Sequence, residues 1–252
     1  MKKKILCSIA MLCSSTLWAD DISLSSDLWC PYACESNSSS PGFMVEIAKV
    51  ILEGEGHKVN YTTINWARAV SETKTGKFAG IIGASRADVV GFVLPSVPTG
   101  FNSNYFWVIK DNNWSYKDVK SLSGKKIGLI NSYSYGNEID NEVQKKNPNY
   151  IIVSGNDALK KLIRMTDIKR LDGFVENPNV LNYLLKDMPE FKNHFKIVSK
   201  NVANDPDLFV AFSPSNPNSK KYAQLISDGM SNLRKSGKLK TILSKYGVSD
   251  WK

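Results

Sequence analysis

The chain has 252 residues, 42% hydrophobic and 23% charged, with a formal net charge of +9. That length supports one large core or two modest ones, and the composition excludes a disordered or fibrous protein. After the first twenty residues no apolar run approaches the ~18–20 residues that span a bilayer. The lysines are scattered and arginine is scarce, so the positive charge reads as a solvated surface and no nucleic-acid partner is expected.

In chain order, Lys2, Lys3 and Lys4 precede an apolar run from Ile5 to Cys13, and Ser14 to Ala19 then lead to Asp20. A basic, an apolar and a small-residue segment in that order predict a secretory signal peptide over residues 1–19, cut after Ala19. Ala10, Met11 and Leu12 lack the small residue that a lipoprotein signal sets before its cysteine. The expected product is a free, soluble, monomeric periplasmic protein with about +6 net charge once three lysines are gone. Cys7 and Cys13 leave with the signal, and Cys30 and Cys34 remain in an oxidising compartment, which predicts a disulfide. Fully extended, their Cα atoms would lie ~13 Å apart, too far to bridge, so the segment must turn, and Pro31 suits a turn. A redox-active pair more usually has two intervening residues. Two cysteines are too few for zinc, and His57 and His194, read as surface residues, stand at no metal-like spacing from them, so neither metal nor cofactor is expected.

Ile22 to Leu24 opens a strand that ends by Trp29. Phe43, Ile47, Val50 and Ile51 mark one face of a helix that Gly54 and Gly56 stop. Val59 and Tyr61 alternate as a strand over 58–64, Trp66 to Thr75 reads as a helix, and 78–82 as a strand. This alternation predicts an α/β fold with a mainly parallel sheet flanked by helices. Tyr105 to Ile109 is a long strand, read as leading into a second lobe. There, strands are expected over 126–130, 150–153 and 172–175, with helices from near Ser134, from an Asp157 cap, and over 180–185. Leu208 to Phe212 mirrors the first long strand and returns the chain, and two helices over 220–236 and 238–246 finish it. The expected division is 20–109 with 207–252 as one lobe and 110–206 as the other, hinged at 105–110 and 207–212.

Four stretches resemble the bacterial extracellular solute-binding proteins of the polar amino-acid type, family 3. They are Trp29-Cys30-Pro31-Tyr32, Arg86 to Phe92 with Pro95 and Pro98, Leu122 to Gly128, and Leu171 to Glu176 with Pro178 and Asn179. The likeness spans essentially the whole chain after residue 19. It implies a two-lobed type II periplasmic binding protein that closes on a small polar ligand for uptake by an ABC permease. Trp66-Ala67-Arg68-Ala69 and the cysteine pair resemble a subgroup often found without an obvious transporter partner, which leaves a membrane signalling receptor as the alternative partner. The loop before Arg86 is shorter than in typical members, and Glu176 stands where they carry Asp.

Arg86 offers a planar fork suited to a ligand carboxylate, unless it pairs with Asp88. Ser134 and Tyr135 lie where a helix start would attract an anionic group, or Ser134 merely caps that helix. Glu176 would accept from a ligand ammonium, or cap the helix after it. Trp29, Tyr32 and Trp66 would wall the pocket and stack on the ligand, with a core role as the plainer reading for Trp66. Ser85 and Arg68 are further ligand candidates, although Arg68 stands four residues before Glu72, an ion-pair spacing. The sequence holds no nucleophile elbow, phosphate loop or metal cluster, so no catalytic residue is assigned. The enzymatic alternative is a lyase of the cyclohexadienyl dehydratase kind with Glu176 as proton donor. Intact-mass measurement of the exported protein should show a chain beginning at Asp20; a mass that retains residues 1–19 or carries lipid would refute the leader.

Overall fold

The computed structural model describes residues 19–252, so the leader expected over 1–19 lies, apart from Ala19, outside the described residues. Strand β1 (Asp21–Ser26) forms because Ile22 and Leu24 alternate into the core, where both are fully buried. Helix α1 (Phe43–Gly54) carries the chain over to β2 (Lys58–Thr63), which pairs in parallel with β1 from Asp21↔Lys58 to Ser26↔Thr63. α1 buries Phe43, Met44, Ile47, Ala48, Ile51 and Leu52 against the sheet. Fully burying each large apolar side chain stabilises by about 1.5–3 kcal/mol. Helix α2 (Trp66–Lys74), capped by Asn65, leads to β3 (Gly80–Ala84) and the two-residue β4 (Gly100–Phe101).

Strand β5 (Tyr105–Ile109) enters the second lobe, which continues through β6 (Ile127–Ile130), α3 (Asn137–Gln144), β7 (Tyr150–Val153), α4 (Ala158–Asp167), β8 (Gly173–Glu176), α5 (Pro178–Leu184) and β9 (Phe195–Ile197). β10 (Asp207–Phe212), α6 (Ser219–Lys235) and α7 (Lys238–Lys245) then return to the first lobe, where α6 and α7 pack on α1. The two sheets run β2-β1-β3-β10-β4 and β7-β6-β8-β5-β9. Each is a parallel three-strand set extended by antiparallel strands, β10 and β4 in the first, β5 and β9 in the second.

The register moves the lobe boundaries from where the sequence puts them. β5 pairs with β8 and β9, so residues 105–109 belong to the second sheet and the crossing is the short Asn102–Asn104 link. The return crossing runs over 198–206, because β10 is already bonded to β3 and β4. The two links also bind each other: the Asn102 amide donates to Pro206 O at 2.7 Å and the Val202 amide to Asn104 O at 2.9 Å. A long apolar strand shows that a segment is buried, but not which of two sheets owns it.

Two other expectations change. Asp157 occupies the N-cap of α4 but makes no capping bond, its carboxylate instead meeting Lys161 at 2.8 Å. His57 is buried rather than superficial, its Nδ1 accepting from the Asp20 amide at 3.1 Å. Cys30 and Cys34 form the expected disulfide, with Cα atoms 4.8 Å apart. It closes a turn in which the Tyr32 and Ala33 amides both donate to Trp29 O, at 2.9 and 3.1 Å. Gly42, at φ 106°, packs behind that turn, where a Cβ would lie 2.5 Å from Tyr32 O. Replacing both cysteines by serine should cost about 2 kcal/mol, at the low end for so short a loop. At this size that lowers the melting temperature by about 4–8 °C; an unchanged midpoint in calorimetry would show that the turn holds without the bridge.

Candidate functional site

The carboxyl ends of the parallel strands meet across the lobes, and the residues just beyond them build the site. Asp27 follows β1, Ser85 and Asp88 follow β3, Tyr133 and Ser134 follow β6, and Glu176 ends β8. All of these but Glu176 line a cavity of about 370 Å³, walled by Asp27, Trp29, Trp66, Ser85 and Asp88 from one lobe and Tyr133, Ser134 and Asn137 from the other. Asn102, Asn204 and Asp205 from the two crossings complete it. A second chamber of about 50 Å³ shares Asp27, Trp29, Trp66 and Tyr133 and has Glu176, Leu159 and Val180 in its wall. Between the chambers the Tyr133 hydroxyl donates to the Asp27 carboxylate, linking the lobes directly. Trp66 meets the Tyr133 ring edge-on at 6.4 Å.

The cavity is electrostatically one-sided. Among the described residues, neither chamber has a lysine or arginine in its lining. Burial pushes Asp27 up to about 6, opposed by the Tyr133 hydrogen bond and reinforced by the negative charge of Asp88. Burial likewise raises Glu176 to about 7, opposed chiefly by the Asn177 amide and reinforced by Asp27. Asp88 is raised as well, by burial first and by Asp140 in addition, against hydrogen bonds from Ser85. Glu176 Oε1 accepts from the Asn177 amide at 2.7 Å. Its Oε2 and the nearby Trp29 Nε1 lie outside hydrogen-bonding geometry and have no partner, although both residues are more than nine-tenths buried. Leaving such groups unsatisfied is costly, and a bound molecule is one way to satisfy them.

The structure distributes the candidates from the sequence unevenly. Trp29, Trp66, Ser85, Ser134 and Glu176 line one or both chambers. Arg86 does not: its guanidinium lies over the Phe209 ring and grips Asp205 at 2.8 and 3.0 Å, with Asp207 at 3.4 Å. Asp88, the alternative partner considered for it, accepts from the Ser85 hydroxyl at 2.7 Å. The start of α3 is also taken. Asp140 accepts from the Tyr135 amide at 2.9 Å and the Ser134 hydroxyl at 2.7 Å, and Asn204 from the Asn137 amide at 2.6 Å. The Tyr135 phenol points back to accept from the Ile130 amide. Tyr32 is 1% exposed and sits behind Trp29, stacked at 4.2 Å, its hydroxyl bonded to Phe101 O, Asn177 and Asn179. Arg68 pairs with Glu72 at 2.7 Å on the surface.

Asp27 and Tyr133 are the residues that sequence reading passed over. The rule that ligands meet the carboxyl ends of parallel strands points to Asp27, the first residue after β1. Gly136 has a similar logic: its φ is 119° and a Cβ would fall 2.1 Å from Val202 O, so only glycine lets the α3 start close on the crossing.

The chain belongs to the bacterial extracellular solute-binding proteins, family 3, whose sequence profile matches residues 24–249. Its fold is that of the type II periplasmic binding proteins. Among solved structures, it resembles a putative L-cystine ABC transporter protein from Listeria monocytogenes at 18% identity and TM-score 0.72, covering 90% of this chain and 96% of that one. An ancestral arginine-binding protein bound to arginine aligns at 19% identity and TM-score 0.69, over 90% and 98%. A histidine kinase sensor domain aligns at 19% identity and TM-score 0.70, over 90% and 95%. No curated protein matches the sequence. Among the described residues no helix is long and apolar enough to cross a membrane.

The raised carboxyls give stability a definite pH dependence. Unfolded Asp and Glu titrate near 4, whereas folded Asp27 and Glu176 titrate at about 6 and about 7, so the folded chain holds more protons in between. Their contribution therefore declines as pH rises from about 4 to about 7. Thermal melts of ligand-free protein should show Glu176→Gln gaining on the wild type as pH rises through that window. Parallel pH curves for the two proteins would mean that Glu176 titrates normally.

Proposed function

We propose that this protein is a periplasmic receptor that captures a small amine-bearing solute, of the amino-acid class or a close relative, and serves as the binding component of an ABC-type uptake system. The observation that carries the reading is the inter-lobe cavity, lined by Asp27, Asp88 and the aromatic rings of Trp29, Trp66 and Tyr133 without a basic residue among its described lining. A carboxylate in such a wall accepts hydrogen bonds from an ammonium, and the flanking π-faces attract the same charge. Because the walls belong to different lobes, a ligand that contacts both binds the closed form preferentially and shifts the population toward it. Family membership and the likeness to ABC transporter proteins support the transport role. The sensor-domain likeness favours a second reading, in which the closed form is presented to a membrane receptor.

Calorimetric titration with amino acids, amines, dicarboxylates and sugars tests this reading. Amine-bearing solutes should bind, and dicarboxylates and sugars should not. Asp27→Asn should cost about 2–5 kcal/mol of binding energy, a loss of about 30- to several-thousand-fold in affinity. Tight binding of a sugar, or an Asp27→Asn protein that binds as well as wild type, would overturn it.

A further inference from the structure

We infer that the ligand is an organic amine that carries no carboxylate, of the alkyl-diamine kind. The inference rests on the reading of the cleft as amine-binding and goes further by excluding the zwitterionic half of that class. An amino acid needs an anion anchor as well as a cation anchor, and both anion anchors available to this chain are already satisfied from within.

The guanidinium of Arg86 is held by Asp205 and Asp207 and stacked on Phe209. To grip a ligand carboxylate it would have to leave two carboxylates for one, a poor exchange in a region already rich in negative charge. The start of α3 is filled in the same way, the Tyr135 and Gly136 amides donating to Asp140 and the Asn137 amide to Asn204. A ligand carboxylate placed there would meet Asp140 rather than open donors.

The cation side differs in charge: Asp27 accepts from the Tyr133 hydroxyl and Asp88 from Ser85, donors that carry no positive charge. Among the described residues, Asp27, Asp88 and Glu176 have no lysine, arginine or histidine within ion-pair distance. Glu176 is 2% exposed, lines the smaller chamber, and has Oε2 without a partner. Asp88 lines the larger chamber, and Asp27 borders both. Acceptors for positive charge therefore stand in each chamber, which suits a ligand with an ammonium at each end. A carboxylate on either end would face like charge, which costs several kcal/mol where water is excluded.

Matched pairs that differ only by the carboxylate test the inference on the wild-type protein: cadaverine against lysine, putrescine against ornithine, and agmatine against arginine, by calorimetric titration. The decarboxylated member should bind more tightly in each pair, by at least about tenfold. Equal or tighter binding of the amino acids would overturn the inference and leave the amine-binding reading standing. If no member of any pair binds, binding of another amino acid overturns the inference alone, whereas binding of a solute without an amine overturns both. Arg86→Ala adds an independent sign: it frees Asp205, which lines the cavity, so cadaverine should bind as well as or better than to wild type. A loss beyond about tenfold in that variant would mean that Arg86 anchors the ligand, and would overturn the inference.

Discussion

The hydroxyl of Tyr133 and the carboxylate of Asp27 come from different lobes, from loops that follow the first strand of each parallel set. Their hydrogen bond is possible only because the chain crosses between the sheets twice and lays the carboxyl ends of both face to face. The cavity, its division into two chambers and the approach of Trp66 to the Tyr133 ring all follow from that meeting. On the proposed reading, a cation seated beside Asp27 would share that carboxylate with Tyr133.

Around this centre, the polar groups divide by what they can reach. Arg86 and the amides at the start of α3 are neutralised by residues of the crossings and of α3 itself, which fixes the cavity's shape. Behind Trp29, Tyr32 receives Asn177 and Asn179 from the second lobe, so the disulfide-closed turn supports the pocket wall and an inter-lobe contact together. The groups left over are acidic, buried and raised in pKa, the usual mark of a site whose electrostatics are completed by a partner.

Most of the architecture was legible because its signals are local. The α1 face, the β2 alternation and the glycine stops all act within one element, and the structure places those elements within a few residues of the expected positions. Ownership of β5 was not legible, because an apolar strand pairs equally well in either sheet and only the long-range register decides. Arg86 misled for a related reason. Its spacing to Phe92 and Pro95 marks a familiar position, but its partners Asp205 and Asp207 lie more than a hundred residues away, at the end of the return crossing and the start of β10. Asp27 went unnoticed because a lone acid after a strand looks like a solvated turn until a tyrosine from the other lobe is set against it.

The contrast between an acidic interior and a basic exterior has a kinetic consequence. The full chain carries an excess of nine basic over acidic residues, about six once Lys2, Lys3 and Lys4 are removed with the expected leader, yet its cavity is lined by Asp27, Asp88 and Asp205. A cation approaching from far off meets a repulsive field and feels attraction only within about a Debye length of the cleft mouth, ~8–10 Å at ordinary ionic strength. Dissolved salt damps the distant repulsion more than the contact inside, which the protein shields from solvent. Encounter should therefore quicken with ionic strength over a range in which the complex, once formed, is only slowly weakened, the reverse of the steering seen when receptor and ligand carry opposite net charges.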